Sequence, residues 1–526
     1  NTTGASNTSM GSLSLDANTT GNDNTAVGVN ALTSNTTASN NTAVGVNSLN
    51  ANTTASHNTA VGVNALRQNT TGANNTASGG VSMYSNTTGA DNTAYGYDAL
   101  SGNTTASNNT AVGKAALKAN TTGSSNVAVG RKALLTNTTG QLNIAVGQDA
   151  LGLNTTGTHN TAVGETCMYS NTTASNNTAL GASALRANTT GHSNAALGVN
   201  TLLLNTTGTQ NTALGMGALV FNTTASNNTG VGYLALNANT TGAYNTAIGS
   251  FAGDALTEGS QNIAVGHAAL SADTKGSKSI AIGESALYTQ NFTSATDAYN
   301  VAVGENAGLY LTTGVSNTLI GGLVGDAITT GSNNVALGRS ALTANTTASD
   351  NTAVGMASLA ANTTGAGNTA VGRDALTRNT TGTSNVAVGY NSQVLVTTGA
   401  QNTSLGSYSL QTTTTGTYNI GVGYNAISTT ATASGQCTLG NGDISNLRCN
   451  DQSISALSDS RDKTDVIDSP YGLDFINTVR PVQFKWETRD GNVKDGSTRI
   501  GFLAQELLAA TDGNNAVLDL VLDDNP

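Results

Sequence analysis

A glycine recurs every seventeen residues along most of the chain, and this period constrains the fold more than any other feature. The series runs from Gly11 through Gly28 to Gly440, within the motif Asn-Thr-Ala-Val-Gly-x-x-Ala-Leu-x-x-Asn-Thr-Thr-Gly/Ala. A fixed short period is typical of a solenoid, in which one repeat cannot bury its own apolar face. The sequence therefore predicts a rod of stacked coils, with a mechanical or adhesive role before a catalytic one.

The composition agrees with a thin core. Charged residues make up 9% of the chain and aromatic residues 4%, whereas glycine occurs 62 times. Large aliphatic side chains are too few for a thick core, and the strict register excludes a disordered low-complexity tract. We therefore predict an all-β fold, a parallel β-solenoid of 17-residue coils, for residues 1–440.

Four columns of the repeat have assignable roles around the marker glycine, our name for the recurring residue. Four residues before it lies an asparagine such as Asn24, and stacked amides of this kind form a hydrogen-bonded ladder. Four residues after it lies a core-filling leucine or methionine, such as Leu32. The second asparagine column, for example Asn35, opens a turn in which Asn bonds its own backbone and the following Gly tolerates positive φ.

The Ala-Val pair before the marker glycine predicts a short strand, as at Ala43 and Val44. One face of this strand lines the coil interior, and the other is free to pack against a second and a third chain. The marker glycine is expected where the backbone turns sharply or where chains approach closely. At about 4.8 Å per stacked strand, the coils give a rod on the order of 120 Å long.

The pattern loosens between about residues 249 and 338. One interval, from Gly283 to Gly304, is four residues longer than the rest. The second asparagine column is replaced here by Leu256, Asp273, Gln290, Leu311 and Ile328, beside the aromatic residues Tyr288, Phe292, Tyr299 and Tyr310. Either an aromatic loop contacts a ligand, or the insertion is a tolerated bulge or joint; we favour the bulge, because insertions in repeat arrays commonly map to surface loops.

Charge and residue spacing exclude several classes of function. The net charge of −11 disfavours nucleic acid, and no apolar run is long enough to insert in a membrane. His57 and His159 share a column but stand six coils apart, so we expect no metal site and no cofactor. Cys167 is expected to be a small buried hydrophobe, whereas pairing of Cys437 with Cys449 stays open.

After Gly440 the composition changes abruptly. Residues 458–526 hold all three prolines and the single tryptophan, Trp486, and we predict a separate small α/β unit there. Residues 441–457, with a sparse apolar pattern, are predicted to form a narrow neck. The chain opens at Asn1 without a methionine, so we expect a fragment or a processed end.

Ser458 and Lys463 are the candidate catalytic residues. A serine hydroxyl needs a base to accept its proton, and a lysine serves if burial lowers its pKa. On spacing alone, a polar turn at the start of a domain is the favoured explanation of the pair. Three sequence blocks occur in order around it, namely residues 457–463, Val479-Arg480-Pro481-Val482-Gln483-Phe484-Lys485-Trp486 and Ile500-Gly501-Phe502-Leu503-Ala504-Gln505-Glu506.

These three blocks resemble the endosialidase-type intramolecular chaperone, the peptidase S74 family. In that family the domain trimerises, guides folding of the preceding fibre and then cuts itself off. The resemblance implies that Ser458 is the nucleophile, Lys463 the general base and Leu457–Ser458 the scissile bond. At most, therefore, the chain is a self-cleaving peptidase. The family's domain continues into a helical stretch, so the sequence looks cut short at Pro526.

The repeats resemble the left-handed β-roll of trimeric autotransporter adhesin heads, and more closely the Asn-Thr-Ala-Val-Gly repeats of phage and marine viral tail-fibre-like proteins. Either likeness implies a parallel homotrimer. We expect a structural and adhesive fibre on a virion or extracellular surface, whose partners are itself and a host cell-surface receptor, a glycan being one candidate.

Three alternative functions compete with the fibre. A bacterial trimeric surface adhesin head would require a C-terminal membrane anchor, in whose place the chaperone-like tail stands. An ice-binding solenoid is disfavoured because adjacent threonines point to opposite faces of a strand. A glycan-degrading fibre has no supporting carboxylate cluster.

Overall fold

The computed structural model describes residues 2–446, 448, 473–485, 498–503, 506, 509 and 510. The chain divides into two compact units, Asn1–Ser445 and Asn446–Pro526. The first is an all-β parallel solenoid with a 26-stranded sheet, which confirms the predicted fold class. Each strand pairs in parallel with the strand of the next coil, in register, so that Thr25 faces Thr42 and Ala26 faces Ala43.

The elements are short and regularly spaced. The solenoid contains β1 Thr8–Met10, β2 Thr25–Val27, β3 Thr42–Val44, β4 Thr59–Val61, β5 Thr76–Ser78, β6 Thr93–Tyr95, β7 Thr110–Val112, β8 Val127–Val129, β9 Ile144–Val146, β10 Thr161–Val163, β11 Thr178–Leu180, β12 Ala195–Leu197, β13 Thr212–Leu214, β14 Thr229–Val231, β15 Thr246–Ile248, β16 Ile263–Val265, β17 Gly276–Ser277, β18 Ile280–Ile282, β19 Thr296–Asp297, β20 Val301–Val303, β21 Thr318–Ile320, β22 Val335–Leu337, β23 Thr352–Val354, β24 Thr369–Val371, β25 Val386–Val388, β26 Thr403–Leu405, β27 Ile420–Val422 and β28 Cys437–Leu439. The second unit contains α1 Leu473–Thr478, β29 Val482–Lys485 and β30 Thr498–Gly501.

Three columns of side chains fill the core, one of which is the column of small residues three positions after the marker glycine, such as Ala31. The middle residue of a strand, such as Ala26, and the leucine four residues after the marker glycine, such as Leu32, are fully buried. This confirms the predicted core column. Leu32 and Leu49 also adopt left-handed backbone conformations, with φ of 53° and 46°. Leucine seldom adopts a left-handed conformation, so the sequence did not predict one at these positions.

The marker glycine is required twice over. At Gly62, φ is +133°, a region that essentially only glycine occupies. A Cβ there would also lie 2.6 Å from the carbonyl oxygen of Gly79 in the next coil. The unusual φ fits the predicted sharp turn, and the close approach is between successive coils of one chain.

The turn after the second asparagine column differs from the prediction. Gly72, at the end of Asn-Thr-Thr-Gly, is not among the residues with positive φ, so the predicted reason for a glycine there is wrong. Alanine takes the equivalent place at Ala38, which fits a conformation open to any residue. The left-handed residue lies two positions further on, at Asn40, with φ of 62°.

Both asparagine columns are buried and bridge successive coils. In the first column, the backbone N–H of Asn41 donates to Oδ1 of Asn24 (3.0 Å), which confirms the predicted ladder. In the second column, Nδ2 of Asn52 donates to Oδ1 of Asn35 (2.9 Å) and to the carbonyl of Ala55 (2.9 Å). The second bond is the predicted turn, and the first is a further ladder that the sequence analysis missed.

In the irregular region, residues 249–338, the core of one coil is filled by a leucine from a different column. Gly253 occupies the leucine column, and Leu256 occupies the second asparagine column of the same coil. A Cβ on Gly253 would lie 3.0 Å from Cδ1 of Leu256, so that leucine fills the space from the other column. The ladder of the second asparagine column ends in the preceding coil at Asn239, whose Oδ1 has no hydrogen-bond partner.

The four-residue insertion forms a small extra layer. β17 pairs with β19 in parallel. Phe292 is 6% exposed, so it packs into the protein and is not available to a ligand, whereas Tyr288, Tyr299 and Tyr310 are exposed. The arrangement fits the favoured interpretation of a tolerated bulge.

Candidate functional site

The outer side of the 26-stranded sheet forms a continuous surface along the solenoid. In each three-residue strand the middle side chain points inward, and the two flanking side chains point outward. We call the outward residues, three and one before each marker glycine, the outer stripe. Its side chains are partly to largely exposed, for example Leu180 at 48%, Leu214 at 45% and Leu405 at 54%.

The outer stripe carries no charged residue from Thr8 to Leu439. The column before the marker glycine holds Val, Leu, Ile or Met in every coil except at Ser78 and Tyr95. The column three before it holds Thr, Val, Ile, Ala or Cys. Lysine, arginine, aspartate and glutamate are confined to the other columns of the coil.

The dimensions of the outer stripe follow from strand geometry. The stacked strands extend on the order of 120 Å, and two outward residues of one strand lie about 7 Å apart. The stripe therefore covers roughly 800 Å² without a charged side chain, of which the column before the marker glycine is mainly apolar and the other column mainly threonine. A long uncharged surface with one nearly continuous apolar column is a candidate interaction site.

The two described cysteines differ in environment. Cys437 belongs to the outer stripe and is exposed. Cys167 is buried in the core, as predicted, and burial raises the pKa of its thiol to about 12. Cys449, whose pairing with Cys437 was left open by the sequence, lies outside the described residues.

The second unit brings two of the three C-terminal sequence blocks together. β29 and β30 pair in antiparallel register, with Phe484 opposite Arg499. An ion pair of 2.6 Å joins Nη2 of Arg480 to Oε1 of Glu506, and the hydrogen bond to this carboxylate raises the pKa of Arg480. The ion pair joins the sequence blocks 479–486 and 500–506, and their spacing along the chain did not predict it.

The proposed catalytic residues Ser458 and Lys463, together with the scissile bond Leu457–Ser458, lie outside the described residues. Their geometry is therefore not part of the site described here.

One carboxylate is buried within the solenoid. Asp273 accepts hydrogen bonds from Gln290 Nε2 (2.7 Å) and from the backbone N–H groups of Gly276 (3.0 Å) and Phe292 (3.2 Å). Burial raises the pKa of this carboxyl, and the hydrogen bonds partly oppose that rise. Because Gln290 also accepts from Asn300 Nδ2 (2.9 Å), the network ties the two asparagine columns together at the insertion.

Across the described ranges, His, Cys, Asp and Glu side chains form no group of three or more that is suited to a metal ion. No helix among those ranges has the length and apolar character needed to cross a bilayer.

The C-terminal unit matches a known protein family. Residues 458–518 match the Peptidase S74 family, described as the chaperone of endosialidase. The match begins at Ser458 and includes β29, β30 and Glu506. The chain thus combines a β-solenoid with a C-terminal S74 chaperone domain, an organisation that fits a phage tail-fibre-like protein. No curated protein matches the chain significantly.

Proposed function

We propose that this chain forms the homotrimeric tail fibre of a phage or virus and attaches the virion to a receptor on the host surface. In this proposal, the C-terminal domain folds the fibre and then releases itself by cleavage at Leu457–Ser458. The observation that carries the proposal is the charge-free outer stripe, on a chain whose C terminus matches the S74 chaperone.

The size of the outer stripe supports association between copies of the chain. A stable protein interface buries about 800 Å² on each partner, close to the estimated area of the stripe. In-register stacking gives every chain the same column spacing, so the apolar columns of parallel copies coincide along the rod. Three copies around one axis would remove these columns from water together.

A C-terminal chaperone suits this architecture for a kinetic reason. Long parallel pairing between distant segments is slow, and identical repeats permit slips in register. A trimerising tail would hold three C termini level while the coils stack. Its removal afterwards would withdraw the easiest refolding route, which leaves the fibre stable for kinetic reasons.

The proposed cleavage assigns one role to each residue. Ser458 Oγ attacks the carbonyl carbon of Leu457, and Lys463 accepts the hydroxyl proton. The peptide C–N bond then breaks, the amine of Ser458 leaves with a proton, and water hydrolyses the resulting ester. The products are a rod that ends at Leu457 and a tail that begins at Ser458.

Trimer formation is tested by sedimentation of the purified chain. We expect a mass of three chains, and a monomer at micromolar concentration would contradict the proposal. The variant Leu180→Lys/Leu214→Lys/Leu337→Lys places charges on the outer stripe and should lower the temperature at which the trimer dissociates. The matched control places lysine at three similarly exposed apolar residues outside the stripe, Leu153, Leu204 and Phe221, and should leave that temperature unchanged.

Cleavage is tested separately by intact mass and N-terminal sequencing. The wild-type chain should release a tail whose first residue is Ser458, and both Ser458→Ala and Lys463→Ala should remain intact. Ser460→Ala is the control, because it removes a neighbouring hydroxyl that the proposal does not use. Normal processing of Ser458→Ala would refute the assignment of the nucleophile.

A further inference from the structure

A groove of about 640 Å³ crosses four successive coils on one flank of the solenoid. Its lining includes Tyr84, Asp98, Ser101, Gly102, Lys118 and Leu135. These residues lie two, five or six positions after a marker glycine. The groove therefore shares no column with the outer stripe, and association through the stripe does not use its residues.

The groove lies where two small residues, in adjacent columns of one coil, stand between larger residues of the neighbouring coils. The fifth position after the marker glycine is Tyr84, Ser101, Lys118 and Leu135 in successive coils. Ser101 and the adjacent Gly102 leave a depression between the aromatic ring on one side and the leucine on the other. A pocket of this volume lies within the usual range for small-molecule sites, about 300–1,000 Å³.

An ion pair lies within the groove. Nζ of Lys118 is 2.7 Å from Oδ2 of Asp98, whose side chain is 17% exposed against 51% for the lysine. The two charges cancel, so the groove does not favour a phosphate or a metal cation. It offers instead a carboxylate acceptor and an ammonium donor side by side.

The aromatic wall is held in place from the preceding coil. Nη1 of Arg67 donates to the Tyr84 hydroxyl (2.8 Å), and the guanidinium carbon lies 5.6 Å from the centre of the ring. Arg67 does not line the groove, so it supports the ring from outside it. A ring fixed in this way loses little conformational freedom when a ligand packs against it.

We propose that this groove binds a neutral hexopyranose unit of a carbohydrate. A pyranose has an apolar face of C–H groups and a rim of hydroxyls. The C–H face packs on the Tyr84 ring, with Leu135 at the far side of the groove, while neighbouring hydroxyls donate to Asp98 and accept from Lys118. The inference deepens the proposed function, on which it rests, by naming a receptor site and the chemistry of its ligand.

The test uses saturation-transfer NMR on the full chain with maltose, lactose and cellobiose at millimolar concentration. We expect signal from at least one disaccharide, and a loss of at least tenfold in affinity for Ser101→Tyr, which fills the groove with a side chain that its column already contains. Asp98→Asn should also weaken binding. Ala360→Tyr, in the same column fifteen coils away, is the control and should bind as the wild type does.

Two outcomes would overturn the inference: none of the three sugars binds, or Ser101→Tyr binds as tightly as the wild type. Amylose and galactan distinguish the source of the sugar, because preference for a polymer indicates a surface polysaccharide and equal affinity for a disaccharide indicates a terminal sugar. Sedimentation of the same samples reports trimer formation independently. Failure at the groove is thereby distinguished from failure of the proposed fibre.

Discussion

Substitution of Gly253 and Leu256, which lie in two columns of one coil, provides a quantitative test of how the solenoid fills its core. In most coils leucine lies four residues after the marker glycine and asparagine seven residues after it, but this coil has glycine and leucine there. The double variant Gly253→Leu/Leu256→Asn restores the common arrangement. Each single variant disturbs it in the opposite sense.

The expected magnitudes follow from the contacts. Leu256→Asn removes a fully buried side chain beside a glycine and should cost about 3 kcal/mol. Gly253→Leu inserts a side chain where Cβ already lies 3.0 Å from Cδ1 of Leu256 and 3.3 Å from Cδ2 of Leu236. This overpacking should cost about 2 kcal/mol. The double variant should lie within about 1 kcal/mol of the wild type, because leucine accepts the left-handed conformation elsewhere in this column, which gives a coupling energy of about 4 kcal/mol.

The assay is hydrogen exchange of the full chain, followed by mass spectrometry of peptides from residues 249–266. Local protection is appropriate because a repeat array opens coil by coil. A coupling of about 4 kcal/mol corresponds to nearly a thousandfold difference in protection. Peptides from residues 45–62 serve as an internal reference. Additive losses in the double variant would refute the idea that the two columns share one space.

The remaining predictions concern single sites. Gly321→Ala should lower local protection by about 3 kcal/mol or more because φ is strained and the Cβ collides with the next coil, whereas Gly322→Ala, which faces open space, should change little. Burial raises the pKa of Asp273, so ionisation of this carboxyl opposes folding. Relative to Asp273→Asn, the wild type should therefore lose protection as the pH rises from about 4, the ordinary carboxyl value, through the raised pKa. A difference between the two proteins that does not depend on pH would contradict this. At pH 8, Cys437 should react with a thiol reagent while Cys167 does not, and in a Cys449→Ser background mild oxidation should link chains only when Cys437 is present. Equal reactivity of the two thiols by peptide mapping would contradict their assigned environments.

Much of the rod could be predicted because each coil repeats one short packing problem many times. The strand, the core leucine, the marker glycine and the first amide ladder each followed from one column read down the sequence. The left-handed conformation of Leu32 did not, because leucine normally avoids it and the reason lies in the closure of the whole coil. The second ladder was missed because Asn35 fits a turn equally well, and only stacking at the next coil shows its other bond.

The irregular coils show a different limit of sequence reasoning. In the sequence, Leu256 only interrupts the second asparagine column, although together with Gly253 it preserves the core. This compensation appears only when two columns are considered at once. At the C terminus, the ion pair between Arg480 and Glu506 joins blocks that are separated along the chain, so linear spacing could not predict it. The roles of Ser458 and Lys463 stay predictions.

In-register pairing of nearly identical coils has a consequence for how such a gene can vary. Each cross-section offers its successor the same backbone groups, so recombination that removes or duplicates whole units leaves both cut surfaces matched. We therefore expect natural variants to differ in reach by multiples of seventeen residues, while changes by any other number accumulate only at bulges such as the one before Gly304. Such recombination changes the length of the solenoid without a new fold.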